Sequence, residues 1–358
     1  MTIRVAIVAD DLTGALDTSA PFVDAGLSVA VALDVEAVEE AIGTGADVMV
    51  VNTLSRALAP VQAAERVVRA AILLKRASPE FVFKKIDSRL KGNVAAETEA
   101  LAASFDRRRL LVAPAVPDQG RHTRAGHVVG FGVAEPLPIE PLFAGCEAKV
   151  RIADAASDAD LDHIVASVDG SKTIAVGARG LGSALARRLA TRSAKSPFGP
   201  CERTLFAFGS RDPITGAQMD ALLASGLIRD YREAPLGEVP ADGRPAMLPM
   251  LLRCSGELSD AADEVAQRFA AGASRIANDT EPDMLMMGGG DTAYAILRSL
   301  GARVLAPKGE IEAGIPWFEA GCSAGRRMRC AVKSGGFGNP QSLIKILQDR
   351  PETLQVGQ

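Results

Sequence analysis

The sequence of 358 residues is poor in several features that would mark particular classes of protein. Aromatic residues make up only 4% and the formal net charge is −4, so neither base stacking nor bulk charge favours a nucleic-acid partner. The five cysteines are scattered without a Cys-x-x-Cys pair, which argues for a reducing compartment and against a disulfide framework. No uncharged apolar run reaches the roughly 18 residues that a bilayer crossing needs. We therefore expect a soluble, cytoplasmic protein without a membrane partner.

Two nucleotide-binding signatures and a metal signature are absent as well. The chain has no GxxxxGK[ST] motif, and the glycines at 177, 180 and 182 follow GxxGxG instead of the dinucleotide pattern GxGxxG. His122 and His127 have no third ligand nearby, so no metal site formed by the protein alone is expected.

The order of apolar segments predicts an α/β fold with two domains, each built on a mostly parallel sheet flanked by helices. Short buried-strand patterns alternate with helical patterns on both sides of a Pro-, Gly- and Ser-rich break at 191–203. We place the domains at 1–198 and 199–358. Residues 120–150 lose this alternation and are predicted to form a long loop. The main predicted strands cover 3–9, 28–33, 47–52, 81–86, 109–115, 172–178, 204–210, 246–254, 283–290 and 329–338.

Two adjacent carboxylates, Asp10 and Asp11, follow the first strand pattern. Ligands of parallel sheets bind beyond the carboxyl ends of strands, so one aspartate is expected to face a ligand while the other caps the next helix or braces a loop. A metal, ligand hydroxyls or turn hydrogen bonds could each compensate the repulsion. A haloacid-dehalogenase-like phosphatase that uses Asp10 is a distant alternative, because its motif spaces the aspartates by one residue.

A second polar cluster follows the strand pattern at 81–86. Cations around an Asp-Ser pair suit an anion that also carries hydroxyl groups, and Arg56 is expected on the same edge of the sheet. A solvated charge run is the alternative interpretation. The cluster comprises Lys84, Lys85, Asp87, Ser88, Arg89 and Lys91.

Glycine-rich strand ends characterise the second half of the chain. Gly288–Gly290 precede Asp291, Thr292 and a helical pattern, and Lys333-Ser334-Gly335-Gly336 follow another strand pattern. Glycines allow backbone N–H groups to approach a phosphate, and a helix N-terminus adds a favourable dipole. With Ser210 at a third strand end, the pattern predicts a nucleotide phosphate site.

The motifs VADDLTGALDTSAPF, NTLSRAL, KKIDSRLKGN, APAVPDQGR, AVGARGLGSALA, FGSRDPITGAQ, GGGDTA and VKSGGFG occur in this order, and the chain resembles the four-carbon acid sugar kinases. The resemblance implies an acid-sugar-binding domain (1–198), a nucleotide-binding domain (199–358) and an active site in the cleft between them. It implies sugar-acid contacts from Asp10, Asp11, Arg56, Lys85, Asp87, Ser88 and Arg121. It implies ATP contacts from Ser210, Gly289, Gly290, Asp291, Thr292, Gly335 and Gly336.

The resemblance leads to a hypothesis of ATP-dependent phosphorylation of the terminal (4-) hydroxyl of threonate, erythronate or 3-oxotetronate. Asp11, or else Asp87, would act as the base, and Mg²⁺ would bridge the ATP phosphates near Asp291. The expected partners are the small sugar acid and ATP, with a homodimer left open. The family usually has Asp-Ser-Thr-Leu-Arg-Gly where this chain has Arg89 and Lys91, so a non-catalytic sugar-acid-binding homologue is the alternative.

Overall fold

A computed structural model describes residues 3–191, 197–240, 243–257 and 262–348. The chain divides into two compact units: unit 1 comprises Met1–Lys195 and Arg303–Gly309, and unit 2 comprises Ser196–Ala302 and Glu310–Gln358. The sequence analysis places a single domain boundary between residues 198 and 199. It does not predict that residues 303–309 belong to unit 1. Residues 192–196 of the predicted break lie outside the described residues.

Unit 1 is a parallel sheet with helices between its strands. Its strands are Val5–Ala9 (β1), Val29–Ala32 (β2), Val48–Asn52 (β3), Phe81–Lys85 (β4), Arg109–Ala113 (β5), Arg121–Arg124 (β6), His127–Gly130 (β7), Leu137–Pro138 (β8), Lys149–Ile152 (β9) and Thr173–Gly177 (β10). Its helices are Leu12–Asp24 (α1), Val38–Gly43 (α2), Pro60–Lys75 (α3), Val94–Phe105 (α4), Asp158–Ala166 (α5) and Arg179–Leu189 (α6).

The strand order β2-β3-β1-β4-β10-β5-β9 places β1 in the interior of the unit 1 sheet. β1 pairs in parallel with β3 and β4, and each of its residues is buried. A strand covered on both faces needs a continuous apolar run, which explains the sequence Val-Ala-Ile-Val-Ala. Because β1, β3, β4, β5 and β10 run in the same direction, their carboxyl ends share one edge of the sheet.

The prediction of a long loop at 120–150 is wrong. The segment contains a separate antiparallel sheet in which β7 pairs with both β6 and β8. These strands span only two to four residues, too short for a clear alternating pattern. The fold therefore holds Arg121 at the start of a strand.

Unit 2 is a second mostly parallel sheet. Its strands are Thr204–Phe208 (β11), Asp230–Pro235 (β12), Met250–Ser255 (β13), Met284–Gly288 (β14), Val304–Glu312 (β15), Ile315–Gly321 (β16) and Arg327–Lys333 (β17). Its helices are Pro213–Ala224 (α7), Ala262–Thr280 (α8) and Gly290–Ser299 (α9).

The order β12-β13-β11-β14-β17-β16 is parallel as far as β17, which confirms the predicted α/β class with mostly parallel sheets. The antiparallel pairing of β16 with β17 was not predicted. β15, which was also not predicted, begins in unit 1, where Val304 and Leu305 pair antiparallel with β2.

Within the described ranges, no helix combines the length and apolar character that a membrane crossing requires.

Candidate active site

The two adjacent aspartates at the end of β1 differ in their surroundings. The side chain of Asp10 is almost fully buried, whereas that of Asp11 is 18% exposed. Asp11 caps α1: its Oδ1 accepts the N–H of Gly14 at 2.9 Å and its Oδ2 accepts the hydroxyl of Thr13 at 2.6 Å. The helix therefore begins on Asp11, which leaves Asp10 on the inner side of the turn.

A single guanidinium compensates both carboxylates. Nε and Nη2 of Arg56 donate to the two oxygens of Asp10 at 2.8 and 2.9 Å, and Nη1 donates to Oδ2 of Asp11 at 2.8 Å. Arg56 lies in the loop after β3, and this loop is fixed by Asn93, whose amide donates to the carbonyls of Ser55 and Leu58. The bidentate geometry explains why an arginine suits this position and a lysine would not.

These contacts determine the ionisation of Asp10 and Arg56. Burial raises the pKa of Asp10, but the charge of Lys84 and the hydrogen-bonded Arg56 outweigh burial and hold this pKa below its ordinary value. Burial lowers the pKa of Arg56, but Asp10 and Asp11 outweigh burial, and the net pKa is raised. Asp10 and Arg56 are therefore both charged at neutral pH.

Neighbouring lysines at the end of β4 have different surroundings, as expected in a strand. Nζ of Lys84 forms a buried ion pair with Glu97 at 2.8 Å and also donates to the carbonyl of Lys85. Nζ of Lys85 donates to the carbonyl of Ile86 at 3.0 Å and lies 2.9 Å from the point that a Cβ on Gly14 would occupy. Lys85 thus reaches the start of α1, beside Asp11, while Lys84 stabilises the interior.

The turn after β4 brings Asp87 and Ser88 to the same edge of the sheet. Oδ1 of Asp87 accepts the N–H of Arg89 at 2.8 Å, whereas its Oδ2 has no hydrogen-bond partner among the described residues. The hydroxyl of Ser88 accepts a short hydrogen bond from Nη1 of Arg121. Asp87 therefore keeps one carboxylate oxygen available beside a serine–arginine pair.

Arg121 carries unused hydrogen-bonding capacity. Its Nε is buried and has no partner within the described part of the chain. Burial and the nearby charge of Arg89 lower the pKa of Arg121, and Asp87, Asp118 and Asp17 act in the opposite direction. An anion at this point would satisfy a donor that the protein leaves unpaired.

The sequence analysis missed an ion pair at the same sheet edge. Arg179 lies two residues after the end of β10. Its Nη1 donates to Oδ1 of Asp17 at 3.0 Å, and its Nε lies 3.9 Å from Oδ2 of Asp118. Arg179 belongs to the GxxGxG segment, which the sequence analysis only distinguished from the dinucleotide pattern. Its position directly after a strand pattern was the available signal.

In unit 2, backbone hydrogen bonds join the ends of β11, β14 and β17. The N–H groups of Gly209 and Ser210 donate to the carbonyl of Gly288 at 3.1 and 3.2 Å, and the N–H of Gly289 donates to the carbonyl of Lys333 at 3.0 Å. The structure thus brings together the three strand ends that the sequence analysis assigned to a phosphate site.

The predicted phosphate-site residues occupy this junction. Gly289 is the N-cap of α9 with φ +98°, a conformation that favours glycine, so α9 begins with the N–H groups of Gly290, Asp291 and Thr292. A side chain on Gly335 would lie 2.7 Å from Cβ of Asp212, so only glycine fits there. The N-terminal N–H groups of a helix are suited to anions.

A buried cation lies behind the junction and was not predicted. Lys333, the last residue of β17, is fully buried, and its Nζ donates to Thr215 and to the carbonyls of Ser334 and Gly335. Its place in the VKSGGFG motif was the available signal.

The described residues of the two units offer few side chains that could bind Mg²⁺. Among the described residues, no group of three or more His, Cys, Asp or Glu side chains could hold a metal ion. Mg²⁺ at kinase sites is usually bound by one or two carboxylates together with substrate phosphates. The exposed carboxylate of Asp291, in the first turn of α9, fits that mode.

Comparisons with known proteins match two parts of the chain to different family models. A family model described as a sugar-binding N-terminal domain matches residues 5–140, and one described as a nucleotide-binding C-terminal domain matches residues 252–343. A Bordetella bronchiseptica protein named D-threonate kinase is 31% identical over 401 residues, covering 96% of each chain.

Two further relatives span almost the whole chain. A Pseudomonas fluorescens protein named 3-oxo-tetronate kinase is 25% identical over 413 residues, covering 95% of each chain. The crystal structure of a DUF1537 protein from Haemophilus influenzae has a TM-score of 0.69 at 18% identity and covers 95% of this chain and 98% of its own. The structural likeness concerns the fold.

Replacing Arg56 by Met should lower the free energy of unfolding at pH 7 by up to about 3 kcal/mol, because it leaves the buried Asp10 uncompensated next to Asp11. In the wild type, the stability linked to the lowered pKa of Asp10 is present above the ordinary carboxyl pKa and is lost as the pH falls through the folded value. In the variant, Asp10 is protonated more readily, so the destabilisation caused by Arg56→Met should become smaller as the pH falls from 7 to 4.

Urea unfolding of both proteins across this pH range measures the effect. Arg76→Met, which removes an exposed pair with Glu39, is the matched control and should change stability far less at every pH. A destabilisation by Arg56→Met that is equal at pH 7 and pH 4 would contradict the assigned compensation.

Proposed function

Since this chain belongs to the four-carbon acid sugar kinase family, we propose that it transfers the terminal phosphoryl group of ATP to a hydroxyl of a four-carbon sugar acid. Similarity along nearly the whole chain to proteins named D-threonate and 3-oxo-tetronate kinase supports this proposal. The acceptor is the terminal hydroxyl, on the carbon farthest from the carboxylate. An acid of this class needs cations for its carboxylate and a base for the attacking hydroxyl.

The unpaired Nε of Arg121 is the observation that carries the acid-binding part of the proposal. Three nitrogens of Arg56 already bind aspartates, so Arg56 offers little to a substrate carboxylate. Arg121 and Lys85 keep N–H groups for the carboxylate, and Ser88 binds a hydroxyl. Arg56 then contributes by holding the side chains of Asp10 and Asp11 in place.

Asp87 is better placed than Asp11 to act as the base. Both oxygens of Asp11 accept hydrogen bonds, and one of them also binds Arg56. Oδ2 of Asp87 has no partner among the residues described, so this oxygen can accept the proton of the attacking hydroxyl. Asp11 orients the substrate through its exposed edge.

The glycine-rich junction of unit 2 binds the ATP phosphates in this proposal. Its contacts come from the backbone of Gly289, Gly290, Gly335 and Gly336 and from the side chains of Ser210 and Thr292. Mg²⁺, held by the phosphates and Asp291, supplies charge neutralisation. Direct transfer of the phosphoryl group requires both substrates to bind at one site. The location of this site in a cleft between the domains stays a prediction.

The proposal is tested by measuring ADP release with ATP, Mg²⁺ and a panel of four-carbon sugar acids. Turnover of at least one acid is expected, and no turnover by demonstrably folded protein would overturn the proposal. The alternative of a non-catalytic sugar-acid-binding homologue predicts thermal stabilisation by an acid but none by an ATP analogue. A phosphatase that uses Asp10 would lose its activity in Asp10→Ala.

Arg121→Met should raise KM for the sugar acid roughly ten- to hundredfold, because a hydrogen bond to a charged group contributes about 1.5–3 kcal/mol. The Kd for an ATP analogue should not change. Arg124→Met removes an exposed arginine from the same strand and is the matched control. An unchanged KM in Arg121→Met would remove Arg121 from the acid site.

Asp87→Asn should lower kcat by about 10²–10⁴-fold with little change in KM for the acid, because the amide keeps the turn hydrogen bond to Arg89 but cannot accept the proton. Steady-state kinetics measure both parameters. Asp106→Asn, at an exposed left-handed position that asparagine tolerates, should retain full activity. If Asp11→Asn lowers kcat more than Asp87→Asn does, the base is Asp11 instead.

A further inference from the structure

Lys333 is a buried cation without a carboxylate counterion. It is fully inaccessible to solvent at the end of β17, and no carboxylate of the described residues lies within 4.0 Å of its Nζ. Its three donors are used on the hydroxyl of Thr215 at 2.9 Å, the carbonyl of Ser334 at 3.0 Å and the carbonyl of Gly335 at 2.9 Å. The charge is therefore directed at the turn that follows the strand.

These hydrogen bonds fix the orientation of two successive peptide planes. In a trans peptide the carbonyl and the next N–H point in opposite directions. Because the carbonyls of Ser334 and Gly335 point to Nζ of Lys333, the N–H groups of Gly335 and Gly336 point away from it. Neither N–H donates to an acceptor within the described part of the chain. Successive outward N–H groups are an arrangement that binds anions.

A second contact holds the same turn in place. The hydroxyl of Thr215, in the first turn of α7, donates to the carbonyl of Gly335 at 2.9 Å, so this carbonyl receives both a hydroxyl and an ammonium group. The backbone at Lys333 is also joined to Gly289 at the start of α9. The turn is thus fixed relative to two helices of unit 2.

We propose that Lys333 is a positioning residue for ATP: it holds the carbonyls of Ser334 and Gly335 inward so that the N–H groups of Gly335 and Gly336 face the phosphates. This inference rests on the proposed function, because it takes the ligand of the turn to be ATP. Lys333 itself does not touch the nucleotide. Its positive charge behind the turn adds to the attraction for phosphate.

Burial makes the device sensitive to pH, and the carboxylates that face Lys333 limit this effect. Burial lowers the pKa of Lys333 to about 8, and Asp212 at the start of α7 and Glu312 in β15 limit the shift. Glu312 is itself paired with Lys345 at 2.8 Å. Because the unfolded chain binds more protons between pH 8 and the ordinary lysine pKa of 10.5, the contribution of Lys333 to stability rises with pH in this window. Weaker ATP binding at pH 9 would therefore not reflect a loss of stability due to Lys333.

The test is calorimetric titration of wild type and Lys333→Met with an ATP analogue and Mg²⁺ at pH 7 and pH 9, alongside titration with a sugar acid that the wild type turns over. The wild type should lose ATP affinity several-fold between pH 7 and pH 9. The variant should bind at least tenfold more weakly at pH 7, show no such pH dependence, and bind the acid normally. Lys172→Met, which removes an exposed lysine paired with Asp169 in unit 1, should behave as the wild type.

A second variant keeps the proposal testable if Lys333→Met fails to fold. Thr215→Val removes one hydrogen bond to the Gly335 carbonyl and should raise the Kd for the ATP analogue without affecting the acid. The inference is overturned if a folded Lys333→Met variant binds the ATP analogue as tightly as the wild type. It is also overturned if Thr215→Val leaves the ATP affinity unchanged and the wild type shows no pH dependence. Either result leaves the kinase proposal standing. A wild type that binds no ATP analogue overturns both.

Discussion

The contact of Arg56 with Asp10 and Asp11 is the interaction on which the proposed acid site of unit 1 depends. Two carboxylates at the end of a buried strand repel each other, and the arginine supplies one donor set that satisfies both. Arg56 comes from the loop after β3, so the ion pair also joins the ends of β1 and β3. Gly92, from the turn after β4, completes this arrangement, since a side chain there would lie 2.9 Å from Oδ2 of Asp10. One cation thus links three strand ends.

This arrangement assigns different tasks to the cations of unit 1. A guanidinium that already holds two carboxylates stabilises the turn, and Lys84 is similarly occupied by Glu97 in the interior. Lys85 and Arg121 retain donors that no residue in the described ranges uses. The expectation that Arg56 clamps the substrate carboxylate therefore gives way to one in which Arg56 organises the aspartates and Arg121 binds the acid. Charge alone could not separate these roles, because all four side chains are cationic in the sequence.

The parts of the fold that could be predicted are those with strong local patterns. β1 is a continuous apolar run, β4 begins with three apolar residues, and an aspartate at a helix start is a recognisable cap, so the edge of the sheet where the aspartates meet Arg56 followed from the sequence. Which of the two aspartates caps α1 did not follow from it. Arg121 could be placed near them only through the family resemblance, because its strand is too short for a periodic signal. The inward carbonyls beside Lys333 depend on backbone orientation, which residue types do not encode. The antiparallel β16 likewise depends on non-local pairing with β17.

Both units place a buried lysine at the end of a strand with its Nζ on the carbonyls of the following residues. Lys84 donates to the carbonyl of Lys85, and Lys333 donates to those of Ser334 and Gly335. The difference lies in the counterion: Glu97 neutralises Lys84, whereas the nearest described carboxylates stay beyond 4.0 Å from Lys333. A neutralised lysine can only stabilise the strand end. A lysine with no carboxylate in direct contact keeps positive charge behind its turn, and in the proposed function the cost of burying that charge falls when a phosphate binds on the other side.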